Sequence, residues 1–422
     1  MTNFKRQLIS AAAAGSMLLS LALPAAAGTT IQITGNGSDS DNTANVTQTG
    51  DTNVTQYNEA KINNDVDIDS DTGNNDANDN TGGDVTIETG DTDTTVKVNN
   101  TVNSNSASVD CCPVNGDTDV LISGNGTDSD NDVTLDQDND INVTQQNYAY
   151  VKNDVDVDSD TGDNDAEDNT GGSVTIKTGD ADTTVKLSTT ANSNWARVGN
   201  GDSNGGSLSV RILGNGSDSD NDIYLTLDGD VVLTQWNEAK INNDVDVDSD
   251  TGNNDANDNT GGDVVIDTGD IDTDVTVDNE VNFNAADIDC GCLLSDILAK
   301  IAGNGTDSDN DIRATLGGDQ TVTQGNEFEC KSYGESSYGK KCNDVDIDSD
   351  TGNNDAEDNT GDVDSESDPS IETGDVDNNV EINNSGNSNV FGDLGDLDFP
   401  DFSGFNFSFS FDLGDLLDLL LG

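Results

Sequence analysis

Four acidic blocks contain the residues whose type and spacing could do chemistry. The first runs Asp65-Val66-Asp67-Ile68-Asp69-Ser70-Asp71, and near-copies begin at Asp154, Asp244 and Asp344. Carboxylates, together with amide and backbone oxygens, are the ligands that Ca²⁺ prefers in proteins. We therefore predict Ca²⁺ as a cofactor, with the following metal ligands: Asp65, Asp67, Asp69, Asp71, Asp154, Asp156, Asp158, Asp160, Asp244, Asp246, Asp248, Asp250, Asp344, Asp346, Asp348 and Asp350.

The alternation within a block predicts a β-strand. Val66 and Ile68 would lie on one face of that strand, and the aspartates would lie on the other. Successive aspartates would be about 7 Å apart, and stacked strands would place further rows about 5 Å away. Because like charges in such a grid repel one another, a bound cation would stabilise it. The alternative interpretation is a set of Asx-turns on a solvated face, where salt screens the repulsion.

The blocks resemble known calcium motifs. Asp67-x-Asp69-x-Asp71 is similar to the start of an EF-hand or thrombospondin type 3 loop, which places Asp at alternate positions before a Gly. Thr72 is inserted before Gly73, and Asn78 stands where an EF-hand has its closing acid. The run Gly35-Asn36-Gly37-Ser38-Asp39 resembles part of the nonapeptide of calcium-binding β-rolls. Both resemblances imply calcium binding.

The composition argues against catalysis. The chain contains no His, which excludes Ser-His-Asp and Cys-His nucleophiles and imidazole-bound zinc. Pairs of carboxylates, as glycosidases use, occur throughout by composition alone. A carbohydrate-active enzyme on a β-helix stays open as an alternative. Four near-copies of each acidic motif suit a lattice better than a single active site, so we predict that the protein is not an enzyme.

The N-terminus predicts export. Lys5 and Arg6 precede an apolar run from Leu8 to Leu23, and Ala25-Ala26-Ala27 offers a cleavage site, so residues 1–27 are predicted to be a signal peptide. The remainder would carry a net charge of −72, since the whole chain carries −70 and the signal peptide contains two cations and no acid. Such a charge repels nucleic acid. No later stretch has the roughly 20 consecutive apolar residues of a membrane span. We expect a secreted protein, extracellular or on the cell surface.

One unit recurs four times in the rest of the chain. The segment Gly35-Asn36-Gly37-Ser38-Asp39-Ser40-Asp41-Asn42 returns at Gly124, Gly214 and Gly303, at spacings of 89, 90 and 89 residues. A fixed period indicates an array of similar structural units. The predicted organisation after the signal peptide is repeat 1 at 29–113, repeat 2 at 117–203, repeat 3 at 207–295, repeat 4 at 296–390 and a tail at 391–422.

Short stretches in each unit alternate apolar and polar residues. Ile31-Gln32-Ile33 and Val96-Lys97-Val98 are examples, and turn-forming residues separate such stretches. Within the repeats only Leu293 to Ile301 fits the period of a helix. Many short strands with tight turns predict an all-β fold, an elongated β-solenoid similar to a parallel β-helix, built from the four repeats of about 90 residues. The alternative is a string of small β-sandwich domains, for which about 90 residues suffice.

Two segments resemble bacterial surface fibres. Asn45-Val46-Thr47-Gln48-x-Gly50 and Asn53-Val54-Thr55-Gln56-x-Asn58 are similar to the strand-turn repeats of curlins, in which Gln and Asn form ladders along a stack. The chain departs from curlins in its high Asp content and long unit. The wider resemblance is to repetitive exported bacterial surface proteins of the β-solenoid type.

Six cysteines in an exported chain favour disulfides. Cys330 and Cys342 bracket an insertion, 331–341, that the other repeats lack, and we predict a disulfide between them. The other four could form strained local bridges or links between molecules, and the sequence leaves their pairing open: Cys111, Cys112, Cys290 and Cys292.

The tail, 391–422, is rich in Phe and Leu. The run Phe405-x-Phe407-x-Phe409-x-Phe411 predicts a strand with one aromatic face. The tail is interpreted either as a cap that folds over the last unit or as an assembly element that docks on another molecule.

Together these features predict a calcium-stabilised structural or adhesive protein of a surface or matrix, with assembly into fibres or a coat. We expect self-association and contact with surface polysaccharide or the cell envelope. An acidic matrix protein that concentrates calcium for mineral deposition is the alternative from another class.

Overall fold

The structure, a computed structural model, describes residues 6–13, 17–21, 29–109, 117–199, 207–289, 297–330, 342–361 and 369–392. Within these ranges every regular element is a β-strand. Two strands, β1 (Arg6–Ala13) and β2 (Met17–Leu21), lie in the predicted signal peptide. The remaining strands come from the four repeats, and the strands of one repeat form one coil.

The first three coils each contain five strands. Coil 1 contains β3 (Thr29–Thr34), β4 (Asp41–Thr49), β5 (Thr52–Asp71), β6 (Val85–Glu88) and β7 (Thr92–Val109). Coil 2 contains β8 (Thr118–Ser123), β9 (Asp130–Asp138), β10 (Ile141–Asp160), β11 (Val174–Lys177) and β12 (Ala181–Val198). Coil 3 contains β13 (Leu208–Leu213), β14 (Asp220–Asp228), β15 (Val231–Asp250), β16 (Val264–Asp267) and β17 (Ile271–Ile288).

Coil 4 has the same plan, with one long strand interrupted by the insertion. It contains β18 (Ile297–Ala302), β19 (Asp309–Leu316), β20 (Gln320–Cys330), β21 (Asn343–Asp350), β22 (Ser370–Glu372) and β23 (Val376–Phe391).

Equivalent strands of successive coils pair in parallel and in register. The five sheets are β3-β8-β13-β18, β4-β9-β14-β19, β5-β10-β15-β20 with β21 also on β15, β6-β11-β16-β22, and β7-β12-β17-β23. Each residue therefore pairs with its equivalent in the next repeat, so that Asn58, Asn147, Asn237 and Asn326 form one column. The predicted β-solenoid is confirmed. The alternative, a string of β-sandwiches, is wrong. Each repeat forms one coil, and its strands pair with strands of the neighbouring repeats and not with one another.

Each coil is wide and the stack is short. The strand β5 has 20 residues, which at about 3.3 Å per residue span about 66 Å. Neighbouring strands lie about 4.8 Å apart, so the backbones of coils 1 and 4 are separated by about 14 Å. A single copy of the chain is therefore four strands deep.

The core lies inside the coils, between facing sheets. Along β10 every second side chain is buried, as the alternating sequence predicts. The valines of its acidic block, Val155 and Val157, pack in one apolar cluster with Val185 and Leu187 of β12. The apolar face of the acidic block thus fastens one long sheet to the other.

Over its described residues, the helical period of Leu293 to Ile301 does not correspond to a helix. Residues Ile297–Ala302 form β18, which pairs with β13 over its whole length. Pairing with an existing strand edge overrides a local helical pattern, because secondary-structure propensity is a weak preference beside tertiary context.

The predicted Cys330–Cys342 disulfide is confirmed, with the two Cα atoms 4.3 Å apart. The loop that it closes lies outside the described residues. So do the other four cysteines and the tail from residue 393, including its alternating phenylalanines. The part of the chain that the structure describes holds no helix long and apolar enough to cross a membrane.

Candidate functional site

The structure brings the four acidic blocks together on one surface. They occupy the ends of β5, β10 and β15 and the whole of β21, which pair residue for residue. Their valine and isoleucine side chains point inward, and their aspartates form columns across the coils on the outer face. The predicted ligands thus form an acidic grid of four rows and four columns, which we call the acidic face.

The last aspartate of each block has a structural role at the end of its strand. The backbone N–H of Gly162 donates to Asp160 Oδ1 at 2.6 Å, and Gly252 donates to Asp250 in the same way. The side-chain amide of Asn74 also donates to Asp71. The column of Asp71, Asp160, Asp250 and Asp350 therefore forms Asx-turns, as the alternative interpretation of the blocks expects at this position.

Packing of the carboxylates opposes their ionisation. Burial raises the pKa of Asp160 to about 7 and that of Asp250 to about 6. In both, the glycine N–H lowers the pKa and neighbouring carboxylates raise it further. The pKa values of Asp158, Asp246 and Asp248 are also raised, first by burial and then by adjacent carboxylates. When these five carboxylates are ionised, they therefore destabilise the stack.

The raised pKa of Asp160 predicts that removing its charge changes the stability of the chain in a pH-dependent way. The pKa of Asp160 is about 7 in the folded chain against 3.8 for an ordinary Asp. The stability that the protonated Asp160 carboxyl contributes is therefore fully present below about pH 4. It is lost as the pH rises through about 7, where the buried carboxyl must ionise. Asp160→Asn keeps the acceptor for Gly162 and removes the charge. We expect it to stabilise the chain by about 1 kcal/mol at alkaline pH, a figure discounted because the carboxyl is only half-buried.

Denaturant unfolding at acid and alkaline pH checks this effect. The difference between Asp160→Asn and the wild-type chain should disappear at acid pH, where the carboxyl is protonated in both states. A variant that is equally stable or less stable than the wild-type chain at alkaline pH contradicts the expectation.

The acidic face does not form a closed metal site. Within the described ranges, no group of three or more His, Cys, Asp or Glu side chains is placed to hold a metal ion. Carboxylates in adjacent coils are nevertheless only about 5 Å apart by strand spacing, and those along one strand are about 7 Å apart. A cation on this face would therefore lie between the carboxylates of two coils, and not in an enclosed coordination sphere.

A second set of aligned polar residues lies inside the coils. Columns of Asn or Gln amides, hydrogen-bonded from coil to coil, begin at Asn42, Gln56, Asn58, Asn64, Asn75, Asn103 and Asn105. The curlin-like segments predicted Gln and Asn ladders, but the burial of these side chains was not predicted. The sequence signal for burial was the alternation along the strand. Gln56 and Asn58 are two and four residues after the inward-facing Val54 and therefore lie on the same face.

Asn147 shows how these amide columns hold the stack. Its amide donates to Asn237 in the next coil at 3.0 Å and to Asn194 across its own coil at 2.9 Å. Asn58 of the preceding coil donates to Asn147 at 3.0 Å. The hydrogen bonds of Asn147 therefore link coils along the stack and link the two long sheets within a coil. Such buried networks specify one register because every misaligned alternative leaves amides unsatisfied.

The outer face of the same long sheet carries four aromatic side chains, one on β5, two on β10 and one on β15. The rings of Tyr57 and Tyr148 have centroids 5.5 Å apart. Lys61 Nζ lies 5.6 Å from the Tyr150 ring, and Trp236 is exposed on the next coil. These aromatic side chains precede the acidic face on each strand and lie on the same outer surface of the sheet.

The fold and these surfaces define a parallel β-solenoid with an acidic outer face and an interior of apolar clusters and amide columns. The chain matches no family model, no curated protein and no solved structure.

Proposed function

We propose that the chain is a secreted structural or adhesive protein that serves as a building block of a surface fibre or coat. The observation that carries the proposal is the in-register stacking of equivalent residues through all four coils. Repeated columns give stiffness and an extended surface, whereas catalysis needs one distinct group of residues. The curlin-like segments support the same function, because their Gln and Asn side chains include members of the amide columns.

The location of the protein tests this function. Antibodies against the chain should label intact, unpermeabilised cells, and chain added to cells that lack the gene should coat their surface again. Protein that stays inside the cells, or a surface that neither loses material on gene deletion nor binds added chain, would contradict a surface role.

We also propose that calcium stabilises the folded stack. Support comes from the columns of like charge on the acidic face and from the raised pKa values of Asp158 and Asp246. A divalent cation placed between two coils would replace carboxylate repulsion by attraction on both sides. The carboxylates of the first three columns would hold the ion, since the fourth column is engaged in Asx-turns.

Removal of calcium should lower the melting temperature of the secreted chain. Linkage gives about 2.7 kcal/mol for each independent site at a hundredfold excess over the dissociation constant. The measurement is thermal unfolding followed by circular dichroism, with Ca²⁺ and with excess chelator at matched ionic strength. Na⁺ at that ionic strength is the control for screening alone. An unchanged melt in chelator contradicts calcium stabilisation.

A further inference from the structure

We propose that the two ends of the stack form a head-to-tail interface, in which coil 4 of one copy docks on coil 1 of a second copy. The inference rests on the proposed structural function and names the partner and the surface. The interface would continue the parallel pairing within the molecule, so that each junction adds one more step of the same spacing.

The edge of coil 4 leaves inward-facing apolar side chains uncovered. Val380 and Ile382 of β23 are 46% and 42% exposed, whereas Val275 and Val277 one coil earlier are 1% and 0% exposed. The valines of coil 3 are covered because coil 4 lies on them. Val96 and Val98 hold the equivalent positions in coil 1. Val96 and Val98 of a second copy would therefore cover Val380 and Ile382 in the same register as within the molecule.

The amide columns give the stack a direction. In the Asn58 column, the amide of each Asn donates to the carbonyl oxygen of the Asn in the following coil. This order turns the Asn58 carbonyl oxygen to the edge of coil 1 and the Asn326 amide to the edge of coil 4. Donor thus meets acceptor when coil 4 meets coil 1. Two identical ends would present donor to donor or acceptor to acceptor, so the complementarity favours a heterologous, open-ended assembly.

The precursor shows that the edge of coil 1 accepts a further parallel strand. Segments β1 and β2 pair in parallel with β7, on the side opposite β12. They occupy the place that β23 of another copy would take. Because these segments belong to the predicted signal peptide, export would uncover the docking edge, and assembly would begin outside the cell.

Glycine columns make the proposed junction testable. A Cβ on Gly252 would lie 2.0 Å from the Gly352 carbonyl oxygen, whereas a Cβ on Gly352 would meet only the Asp350 side chain, at 3.2 Å. In the opposite direction, a Cβ on Gly179 would lie 2.5 Å from Gly90, whereas one on Gly90 meets nothing within 4 Å. Gly352→Ala and Gly90→Ala are therefore accommodated in one copy, but each would clash with the backbone of a copy docked on its end.

Charge sets the conditions for assembly. Docking would extend the columns of the acidic face across the junction, with Asp346 of one copy next to Asp67 of the other. Since the chain outside the signal peptide carries a large negative charge, we expect association only with Ca²⁺ or with enough salt to screen the repulsion.

Sedimentation of the secreted chain at physiological salt with millimolar Ca²⁺ tests the interface. The wild-type chain should form particles several-fold heavier than one copy. Gly352→Ala and Gly90→Ala should each sediment as single copies with unchanged melting temperatures. An equimolar mixture of the two should give particles of twice the single-copy mass. The coil 1 end of Gly352→Ala and the coil 4 end of Gly90→Ala both remain open and can join once. Gly37→Ala, whose Cβ meets nothing within 4 Å, provides a second variant for the coil 1 end.

Three results would overturn the interface. Dimers formed by either variant alone would mean that like ends join. If the chain associated only after removal of the residues that follow Gly392, the tail, and not a second copy, would cover coil 4. A wild-type chain that stays monomeric in Ca²⁺ with and without the tail would exclude the interface, while surface labelling could still support the structural function.

Discussion

Gly252→Ala should strongly destabilise the stack, by about 3 kcal/mol or more. The added Cβ would lie 2.0 Å from the carbonyl oxygen of Gly352 and 2.9 Å from its backbone nitrogen. Backbone in a hydrogen-bonded ladder cannot move aside as a flexible side chain does, and Asn253 N donates to that same Gly352 carbonyl at 2.9 Å. Coils 3 and 4 would have to separate at this turn. Thermal and denaturant unfolding of the secreted chain measure the loss.

Gly352→Ala is the matched control for this substitution. It changes the same residue of the same Asp-Thr-Gly-Asn turn, one coil further on, where the structure places no further coil. We expect its melting temperature to equal that of the wild-type chain under conditions that keep both monomeric. If Gly252→Ala were as stable as Gly352→Ala, the close approach of successive turns would be wrong.

The sequence was sufficient for the fold class because the repeat and the alternation are both explicit in it. It was not sufficient for the length of the strands. The segments around Val54 and Asp65 appear as separate blocks in the sequence, yet both belong to the continuous strand β5. Inward positions such as Asn58 and Asn64 are polar, which hides the alternation of apolar residues across the middle of the strand. Those amides form hydrogen bonds to the neighbouring coil and across their own coil. Neither contact is visible in the sequence of one strand.

The acidic face was partly predictable for a related reason. Alternation placed Asp65, Asp67 and Asp69 on one outer face, and the repeat implied further rows. The turn role of Asp71 and its equivalents depends on a hydrogen bond from the glycine two residues later. The motif Asp-Thr-Gly carries that signal, because Asp forms Asx-turns with backbone two residues on. The edges of the stack, by contrast, exist only once one repeat is known to form one coil.

Asn237→Ala should cost the fold about 3 kcal/mol, although it removes no apolar side chain. Asn237 is fully buried and donates to Asn326 at 3.1 Å and to Asn284 at 2.9 Å. It also accepts from Asn147 at 3.0 Å and from Asn194 at 2.8 Å. Each of these four partners would lose one hydrogen bond, at about 0.5–1.5 kcal/mol each, and a cavity adds to the loss.

Asn237→Asp separates loss of the hydrogen bonds from loss of volume. The carboxylate has nearly the shape of the amide but turns a donor into a charged acceptor that faces the oxygens of Asn284 and Asn326. We expect it to destabilise the chain more than Asn237→Ala does at neutral pH, and to recover at acid pH, where a protonated carboxyl can donate one hydrogen bond.

The control is Asn142→Ala on the exposed face of β10, which should change stability by less than about 0.5 kcal/mol. Denaturant unfolding of the three variants at neutral and acid pH decides the matter. If both changes at Asn237 were as mild as Asn142→Ala, the amide columns would not hold the coils together, and the stack would depend on its apolar clusters and backbone pairing alone.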